Sequence, residues 1–349
     1  MKAVILAGGS GERFWPLSTS QTPKQFLRLF DERSLIRMTY ERLLGRFSPD
    51  DIMVITSAEH VPITKKELFE VPDTNIVGEP SRRNTAPACV LGALKCDSKE
   101  ILLTVPADHI IRDEPAFWDS FDRGVSALEK VGGLFTFGIE PTRPETGYGY
   151  IEVGTELARG AFEVKRFREK PNLETAREFI SRGGFLWNSG MFLWRSGEFL
   201  GEMREHAPEV IDPLTDIDLF DVETLEQAYS GVERISIDNA LMERSENVRV
   251  VPSDPGWSDV GSWESVRELA GYSAEGPNRA LVDSERIYIR TSEGRKVAVV
   301  GLKDVIVVET EEGLLVLNER NSQDVRRAAK KLKNRIFKAK KNKLSSPNG

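Results

Sequence analysis

The first 27 residues contain the strongest chemical signal in this sequence. A short apolar run over residues 3–6 is followed at once by Gly8-Gly9-Ser10-Gly11, then by Arg13, and Lys24 stands directly behind a proline. Glycines allow sharp turns and close approach to a ligand, and the N–H groups of such a turn can form a concave site for anions. Arg13 and Lys24 add fixed positive charge. A loop of this composition after a buried strand suits a triphosphate.

The spacing within this loop excludes two familiar phosphate-binding motifs. No lysine stands directly after Gly11, so the Walker A pattern is absent. A dinucleotide fingerprint needs a third glycine three residues after the second, and that position is Phe14, which argues against a dinucleotide-dependent oxidoreductase. A glycine turn alone is often an ordinary βα turn. The prediction therefore depends on the glycines together with Arg13, Pro16-Leu17 and Pro23-Lys24.

Alternating elements must position this loop. Up to about residue 140, short apolar runs alternate with helical periodicity, which predicts an α/β fold with a doubly wound, mostly parallel sheet. Ligands of such sheets bind beyond the carboxyl ends of the strands, where both the glycine loop and Asp108 fall. The expected strands are residues 3–6, 52–56, 75–77, 101–105 and 134–138, and the expected helices are 34–44, 62–68, 86–94 and 116–131.

The pattern changes after residue 140. Strands are expected at 147–153, 162–167 and 185–194 and a helix at 173–182, in a second half that continues the central sheet. Short apolar runs at 286–290, 296–300, 305–309 and 314–317 predict a small β module. The expected organisation is a large α/β domain over residues 1–265, which holds the glycine loop, the β module over 279–320 and a basic C-terminal helix over 322–343.

Composition and charge exclude several classes of protein. The net charge of −7 argues against a nucleic-acid binder, and no apolar stretch approaches the ~20 residues of a membrane span. Met1-Lys2 leads straight into a strand, so no signal peptide is expected. Cys89 and Cys96 are seven residues apart in an apparent helix, too distant for a disulfide, which favours a cytoplasmic protein. The three histidines are scattered and predict no zinc cluster.

Five further segments accompany the glycine loop. They are Asn84-Thr85-Ala86-Pro87-Ala88, Pro106-Ala107-Asp108-His109, Glu169-Lys170-Pro171, Trp187-Asn188-Ser189-Gly190-Met191-Phe192 and Trp257-Ser258-Asp259-Val260-Gly261-Ser262-Trp263. Together with the loop they resemble, in the same order, the motifs of sugar-1-phosphate nucleotidylyltransferases. Within that family, Phe14-Trp15-Pro16-Leu17-Ser18 and Pro23-Lys24-Gln25-Phe26 resemble the mannose-1-phosphate guanylyltransferases.

The resemblance implies a fold, a reaction and partners. The fold would be a Rossmann-like, doubly wound mixed sheet with a short left-handed β-helix as the C-terminal module. The reaction would convert GTP and mannose 1-phosphate into GDP-mannose and pyrophosphate, with Mg²⁺ as cofactor. The protein would be a homodimer, and neither nucleic acid nor membrane is an expected partner. Two alternatives stay open: a nucleotidylyltransferase for another sugar 1-phosphate or base, and a regulatory paralogue that binds nucleotide sugars without catalysis.

The implied reaction fits the chemistry of these residues. Attack of a sugar-phosphate oxygen on the α-phosphorus brings two polyanions together, which requires cations and positioning rather than a protein nucleophile. The resemblance assigns Arg13 and Lys24 to the triphosphate, Lys170 to the sugar phosphate, and Asp108 and Asp259 to Mg²⁺, an ion that prefers carboxylate oxygens. On its own, Asp259 would more simply be the N-cap of a helix near residue 262. The following proline is expected to hold Lys170 extended.

The remaining candidates contact the nucleotide or the sugar. The nucleotide candidates are Ala7, Gly8, Gly9, Ser10, Gly11, Glu79, Pro80, Asn84 and Thr85, and the sugar candidates are Gly147, Tyr148, Glu169, Lys170 and Asn188. Glu79 could accept hydrogen bonds from guanine N1–H and N2–H₂, although the backbone of Ala7 and Gly8 could read the base instead. Asn84 or Thr85 could equally be a helix N-cap.

Overall fold

The computed structural model describes residues 1–9, 11–219 and 221–344, and for Glu12 and residues 336–344 it describes the backbone alone. Ser10, a nucleotide candidate, lies outside the described residues. The chain forms two compact units. The first comprises Met1–Gly8 and Ile36–Asp259, and the second comprises Gly9–Leu35 and the residues from Val260 onward.

The first unit is built on one mixed sheet. Its strands are β1 (Lys2–Ala7), β2 (Ile52–Ser57), β3 (Ile76–Glu79), β4 (Ile101–Pro106), β5 (Leu134–Ile139), β6 (Tyr150–Ala158), β7 (Ala161–Arg168), β8 (Phe185–Arg195) and β9 (Val248–Ser253). Their order is β3-β2-β1-β4-β8-β5-β9-β7-β6, with a further pairing between β8 and β6. Strands β1 to β4 are parallel neighbours, so their carboxyl ends lie at one edge of the sheet.

Helices cover this sheet. They are α1 (Leu35–Leu43, which begins at the last residue of the second unit's first segment), α2 (Val61–Glu67), α3 (Thr85–Leu94), α4 (Glu114–Val131), α5 (Leu173–Arg182), α6 (Ser196–His206), α7 (Pro208–Ile211) and α8 (Val222–Gly231), followed by a π-helical turn over Asp238–Met242. Helix α3 is apolar around most of its circumference and is buried from Ala86 to Ala93. It therefore packs as an interior helix rather than as an amphipathic one.

Most of the predicted elements are confirmed. The βα units expected over residues 3–138 are present with ends that shift by at most two residues, and the later strands continue the same sheet. The strand expected from residue 147 is wrong at its start, because β6 begins at Tyr150 and the Gly147 N–H is turned toward the Glu145 carboxylate, 3.0 Å away. Cys96 lies beyond the end of α3, and both cysteines are free thiols. Helices α6 to α8, the π-helical turn and β9 were not predicted.

The second unit contains the small β module. Its elements are α9 (Trp263–Ala270), β10 (Arg279–Val282), β11 (Glu285–Arg290), β12 (Val297–Val300), β13 (Lys303–Thr310), β14 (Gly313–Asn318) and α10 (Val325–Leu344). Strand β10 pairs in parallel with β12, and β11 pairs in parallel with β13. Parallel pairing of alternate strands is the pattern of successive turns in a β-helix, so the expected β-helix-like module is confirmed. Its core contains Ile287, Ile289, Val299, Val305 and Val307.

The described helices include none with the length and hydropathy needed to cross a membrane.

Two helical glycines give opposite predictions for the same substitution. A Cβ on Gly92 of α3 would lie 2.9 Å from Val4 Cγ1 in β1, whereas a Cβ on Gly201 of α6 would meet no atom within 4 Å. We expect Gly92→Ala to lower the free energy of unfolding by about 1–3 kcal/mol through overpacking. Gly201→Ala should raise it by about 0.5–1 kcal/mol, because alanine loses less backbone entropy. Urea denaturation measures both, and stabilisation by both variants would contradict the packing of α3 on β1.

Candidate active site

Predicted nucleotide residues of the first unit meet at the carboxyl edge of the parallel strands. Ala7 pairs with Thr56, and Ser57 pairs with Glu79, so three neighbouring strands end together. The Thr56 hydroxyl donates to the Ala7 carbonyl over 3.2 Å, which ties the end of β1 to β2. On the other side, Leu6 pairs with Pro106, and the Ala107 N–H donates to the Leu6 carbonyl over 2.9 Å. Gly8 and Asp108 therefore leave adjacent strands at the same edge.

Glu79 is a buried carboxyl group next to Gly8. Its side chain is 5% exposed, and a Cβ added to Gly8 would lie 3.2 Å from Glu79 Oε2. The Tyr229 hydroxyl donates to Glu79 Oε1 over 3.0 Å. Burial raises the pKa of Glu79 to about 7, although the Tyr229 hydrogen bond opposes this shift. The carboxyl group is thus fixed in place and close to its titration point at neutral pH.

Asn84 and Thr85 have local structural partners. The Asn84 side-chain oxygen accepts from the Thr85 N–H at the N-cap of α3, and Asn84 has a positive φ of 72°. The Thr85 hydroxyl accepts from the Ile237 N–H over 2.9 Å. The helix-cap alternative for Asn84 is therefore what the structure contains, and Pro80 is half-buried just beyond β3.

The two predicted metal ligands are brought together by an antiparallel bridge. Ile110 and Ser258 exchange two backbone hydrogen bonds of 2.9 and 3.0 Å, which places Asp259 opposite His109, the residue that follows Asp108. The His109 ring accepts from the Trp257 indole N–H over 3.1 Å and lies 3.9 Å from the Asp108 carboxylate. Asp259 is not a helix cap, because α9 is capped by Ser262.

Tyr148, which lies just before β6, contacts Asp259, one of the two predicted metal ligands. Its hydroxyl donates to Asp259 Oδ1 over 2.7 Å, and its ring has edge contacts with Trp187 and Trp257. Burial, and then the charge of Asp259, raise the pKa of Tyr148, so the hydroxyl remains a donor at neutral pH. Tyr148, predicted as a sugar residue, is thereby also a support for a predicted metal ligand.

Asn188 is held from several sides. Its side-chain oxygen lies 2.8 Å from the Thr136 hydroxyl and also accepts from the Gly190 N–H, and its amide group donates to Asp238 Oδ1 over 2.9 Å. The side chain is 9% exposed. A Cβ on Gly190 would lie 3.8 Å from the His109 ring, so this part of β8 lies near the Asp108 segment.

Glu169 and Lys170 form an ion pair on the chain after β7. A Cβ on Gly149 would lie 2.8 Å from Glu169 Oε2, so the close backbone approach within the protein is at Gly149, while Gly147 is exposed. The expectation that Lys170 is extended is wrong: its φ is 44°, and its N–H donates to the Tyr148 carbonyl over 3.2 Å. This tertiary hydrogen bond outweighs the local preference before proline, and the strained backbone turns an exposed ammonium group outward.

The predicted triphosphate residues Gly9, Gly11, Arg13 and Lys24 belong to the second unit. Gly11 has φ 60°, and a Cβ there would lie 2.4 Å from the Lys24 backbone nitrogen, so only glycine fits. Lys24 is 8% exposed, with its ammonium group 5.8 Å from the centre of the Phe14 ring. Arg13 is exposed and donates to Gln323 over 3.3 Å.

Three further residues support the site and were not predicted from the sequence. Tyr229 holds Glu79, Asp238 holds Asn188, and Glu243 accepts from the Glu169 N–H over 2.9 Å. Desolvation and the nearby Glu169 carboxylate raise the pKa of Asp238. All three lie in or beside α8 and the π-helical turn, which have no motif of their own. A π-helical turn is frequent at functional sites, but single-sequence periodicity does not reveal it.

Asp108 and Asp259 fit a divalent cation that takes most of its ligands from substrate phosphates and water. Within the described parts of the chain, no group of three or more His, Cys, Asp or Glu side chains could hold a metal. Mg²⁺ commonly uses one or two carboxylates plus phosphate oxygens and water, so Asp108 and Asp259 suffice when substrate phosphates complete the site.

Family comparisons agree with this arrangement. Residues 2–275 match the nucleotidyl transferase family, and residues 278–332 match the MannoseP isomerase/GMP-like β-helix domain. The sheet, the glycine loop after β1 and the carboxylates at the same edge thus define a protein of the nucleotidyltransferase class.

Individual similar proteins identify the family within the nucleotidyltransferase class. The chain is 40% identical to the mannose-1-phosphate guanylyltransferase of Escherichia coli K12, over 95% of this chain and 73% of that protein. It is 38% identical to the alginate biosynthesis protein AlgA of Pseudomonas aeruginosa, over 95% and 72%. A Thermus thermophilus crystal structure described as mannose-1-phosphate geranyltransferase superposes with a TM-score of 0.85 at 31% identity, over 95% of this chain and 99% of that one. This chain belongs to the mannose-1-phosphate guanylyltransferase family.

Glu79 predicts a specific pH dependence of stability. Its pKa rises from 4.5 in the ordinary environment to about 7, so the native state binds the proton more tightly than the unfolded chain does. The contribution to stability is complete below pH 4.5 and is lost as the pH rises to about 7, a loss on the order of 3 kcal/mol. Glu79→Gln should remove this part of the decline. Urea denaturation between pH 4.5 and 8 tests it, with exposed Glu226→Gln of α8 as control; identical pH slopes for wild type and Glu79→Gln would contradict the burial of the charge.

Proposed function

We propose that this protein transfers the GMP group from GTP to α-D-mannose 1-phosphate, which gives GDP-mannose and pyrophosphate. The observation that carries the proposal is membership of the family along nearly the whole chain. A phosphate oxygen of mannose 1-phosphate attacks the α-phosphorus of GTP in line with the leaving pyrophosphate. No protein nucleophile is needed, because the two substrates supply both reacting groups.

GTP binds through the glycine loop and two cations in this proposal. The N–H groups of Ala7, Gly8, Gly9, Ser10 and Gly11 contact the phosphates and the nucleoside, and Arg13 and Lys24 neutralise the charge that develops on pyrophosphate.

The guanine base is read by Glu79, whose carboxylate in its ionised form accepts from N1–H and N2–H₂, while Pro80, Asn84 and Thr85 form the adjoining wall. The position of Glu79 beside Gly8 supports this assignment.

Mannose 1-phosphate binds in the first unit. Lys170 pairs with the sugar phosphate and so leaves its partner Glu169 to accept from a sugar hydroxyl. Asn188 donates to another hydroxyl, and the backbone at Gly147 and the ring of Tyr148 complete the sugar subsite. The tight hold of Thr136 and Asp238 on Asn188 supports a positioning function, because a fixed amide loses little entropy when it binds a sugar.

Asp108 and Asp259 would hold a divalent cation, which enzymes of this family generally use; we propose Mg²⁺. When bound, it supplies positive charge against the phosphate oxygens and lowers the repulsion between the substrates. The Tyr148 hydroxyl orients Asp259, and the Ile110–Ser258 bridge keeps Asp259 opposite His109, the residue that follows Asp108.

We further propose a cytoplasmic homodimer. The two free cysteines fit a reducing compartment. The β module exposes large apolar side chains, including Val300, Leu302, Leu314 and Val316, which are 46–63% exposed. An exposed apolar cluster on a small β module suits pairing with the same surface of a second copy.

The direct test is a substrate panel. Purified protein is incubated with each of five nucleoside triphosphates and with several sugar 1-phosphates, and release of pyrophosphate and formation of nucleotide sugar are measured. GDP-mannose should form fastest from GTP and mannose 1-phosphate. Preference for another base or sugar would assign the protein a different substrate, and binding without turnover would make it a regulatory paralogue.

Loss of either aspartate should abolish metal-dependent activity. Asp108→Asn and Asp259→Asn each remove one negative charge from the proposed cation site, and we expect kcat to fall by about 100-fold or more while the thermal unfolding temperature stays near the wild-type value. Exposed Asp254→Asn in the same loop is the matched control and should remain active. Turnover near the wild-type rate in either site variant, or full activity in excess chelator, would refute the assignment.

Two lysines should separate the substrates. Lys170→Ala should raise the KM for mannose 1-phosphate by about tenfold or more, the usual effect of losing a charge-assisted contact, while calorimetric GTP affinity stays nearly unchanged. Lys24→Ala should weaken GTP binding directly. Exposed Lys165→Ala in β7 controls for general charge loss. Reduced GTP affinity in Lys170→Ala with intact mannose 1-phosphate affinity would mean that the two phosphate sites are exchanged.

A further inference from the structure

The segment that contains Arg13 and Lys24 is structurally a part of the C-terminal unit. Gly9–Leu35 groups with the residues from Val260 onward rather than with β1, which precedes it directly in sequence. Two donors of this unit bind consecutive carbonyl groups of the segment. The Trp263 indole N–H donates to the Trp15 carbonyl over 3.1 Å, and the Thr310 hydroxyl donates to the Pro16 carbonyl over 3.3 Å.

Further contacts hold the same segment before and after these carbonyls. Phe14 packs with the edge of Trp263 at a ring distance of 5.6 Å. Arg290, the last residue of β11, donates to the Leu29 carbonyl over 2.7 Å and also to the Arg28 carbonyl. A Cβ on Gly313 would lie 2.8 Å from the Trp15 ring, so the first residue of β14 also packs closely against the segment.

The residues held by these contacts lie close to Arg13 and Lys24, the proposed phosphate-binding cations. Phe14 lies next to Arg13 in sequence, and its ring lies below the Lys24 ammonium group. Gly11 packs against the Lys24 backbone, so residues 11–24 form one folded unit. A glycine-rich loop is otherwise entropically free to adopt many conformations. Donors that bind its carbonyl groups reduce this freedom before the ligand arrives.

We propose that the β module positions the triphosphate loop, and that Thr310 and Arg290 are positioning residues for GTP use. The inference rests on the proposed function of Arg13 and Lys24. Catalysis by fixed charges requires that the cations be placed before the reaction, because reorganisation during the reaction would consume the stabilisation that they provide. The module supplies this placement through the Arg290 and Thr310 side chains, which donate to backbone carbonyl groups of the segment.

Substitutions at Thr310 test the proposal in the full chain. Thr310→Val keeps the shape of the side chain but removes both the donor to the Pro16 carbonyl and the acceptor for the Glu312 N–H. Thr310→Ser keeps the hydroxyl group. Ser284→Ala is the matched control, because Ser284 is also half-buried in the module and, among the described residues, its hydroxyl bonds to Val282, Val299 and Leu302 of the module.

We expect Thr310→Val to lower kcat/KM for GTP about fivefold, the factor that corresponds to one ordinary hydrogen bond. Its KM for mannose 1-phosphate should stay at the wild-type value. Thr310→Ser should recover GTP use, and Ser284→Ala should resemble wild type for both substrates. Arg290→Lys, which cannot bridge two carbonyl groups, should also impair GTP use selectively.

Two outcomes would overturn the proposal. One is that Thr310→Val leaves the kinetics with GTP unchanged. The other is that Thr310→Val and Ser284→Ala lower kcat/KM by the same factor, for GTP and for mannose 1-phosphate alike. Failure of the proposed function is distinguishable, because wild type would then not turn over GTP at all. In that case, hydrogen exchange at the Leu17 and Ser18 amides, which bond to the Phe14 carbonyl, decides the positioning question. Faster exchange in Thr310→Val than in Ser284→Ala supports positioning, and equal exchange refutes it.

Discussion

The pair of backbone hydrogen bonds between Ile110 and Ser258 is the contact on which the candidate site of the first unit depends. It joins the chain that leaves β4 to the chain that follows β9, although these strands are not neighbours in the sheet. Without it, Asp108 and Asp259 would end two separate loops. With it, Asp259 lies opposite His109 and accepts from the Tyr148 hydroxyl, and the Trp257 indole N–H donates to His109. The proposed two-carboxylate cation site thus depends on backbone geometry.

Buried polar groups give this site its rigidity at a cost in stability. Glu79 is buried with a single described side-chain hydrogen bond, from Tyr229, and the shift of its pKa to about 7 measures how strongly its charge is disfavoured. Asn188 has its oxygen and its amide group fixed by Thr136 and Asp238. A protein selected for stability alone would fill these positions with apolar side chains. Their positions beside Gly8 and near Glu169 are consistent with the proposed base and sugar subsites.

Many strands and helices could be predicted from the local pattern of apolar residues. The elements that could not be predicted were missed for physical reasons. Strands β1 and β4 could be predicted because short apolar runs end in motifs at the same sheet edge. Helix α6 contains two glycines and β9 ends in a proline-containing segment, so neither produced a clear period. The backbone of Lys170 was mispredicted because a hydrogen bond to Tyr148 acts across the fold. The attachment of Gly9–Leu35 to the C-terminal unit involves partners roughly 250–300 residues away, which no local pattern contains.

The central claim of this account is that fixed cations and donors allow a sugar phosphate to attack GTP directly, without a covalent enzyme intermediate. The stereochemistry at the α-phosphorus tests it most directly. A GTP analogue with one sulfur on the α-phosphorus, of known configuration, is converted with mannose 1-phosphate, and the configuration of the product is determined by ³¹P NMR. One in-line displacement inverts the configuration, and this is the predicted result. Retention would require two successive displacements and a guanylylated protein side chain, which would contradict the account.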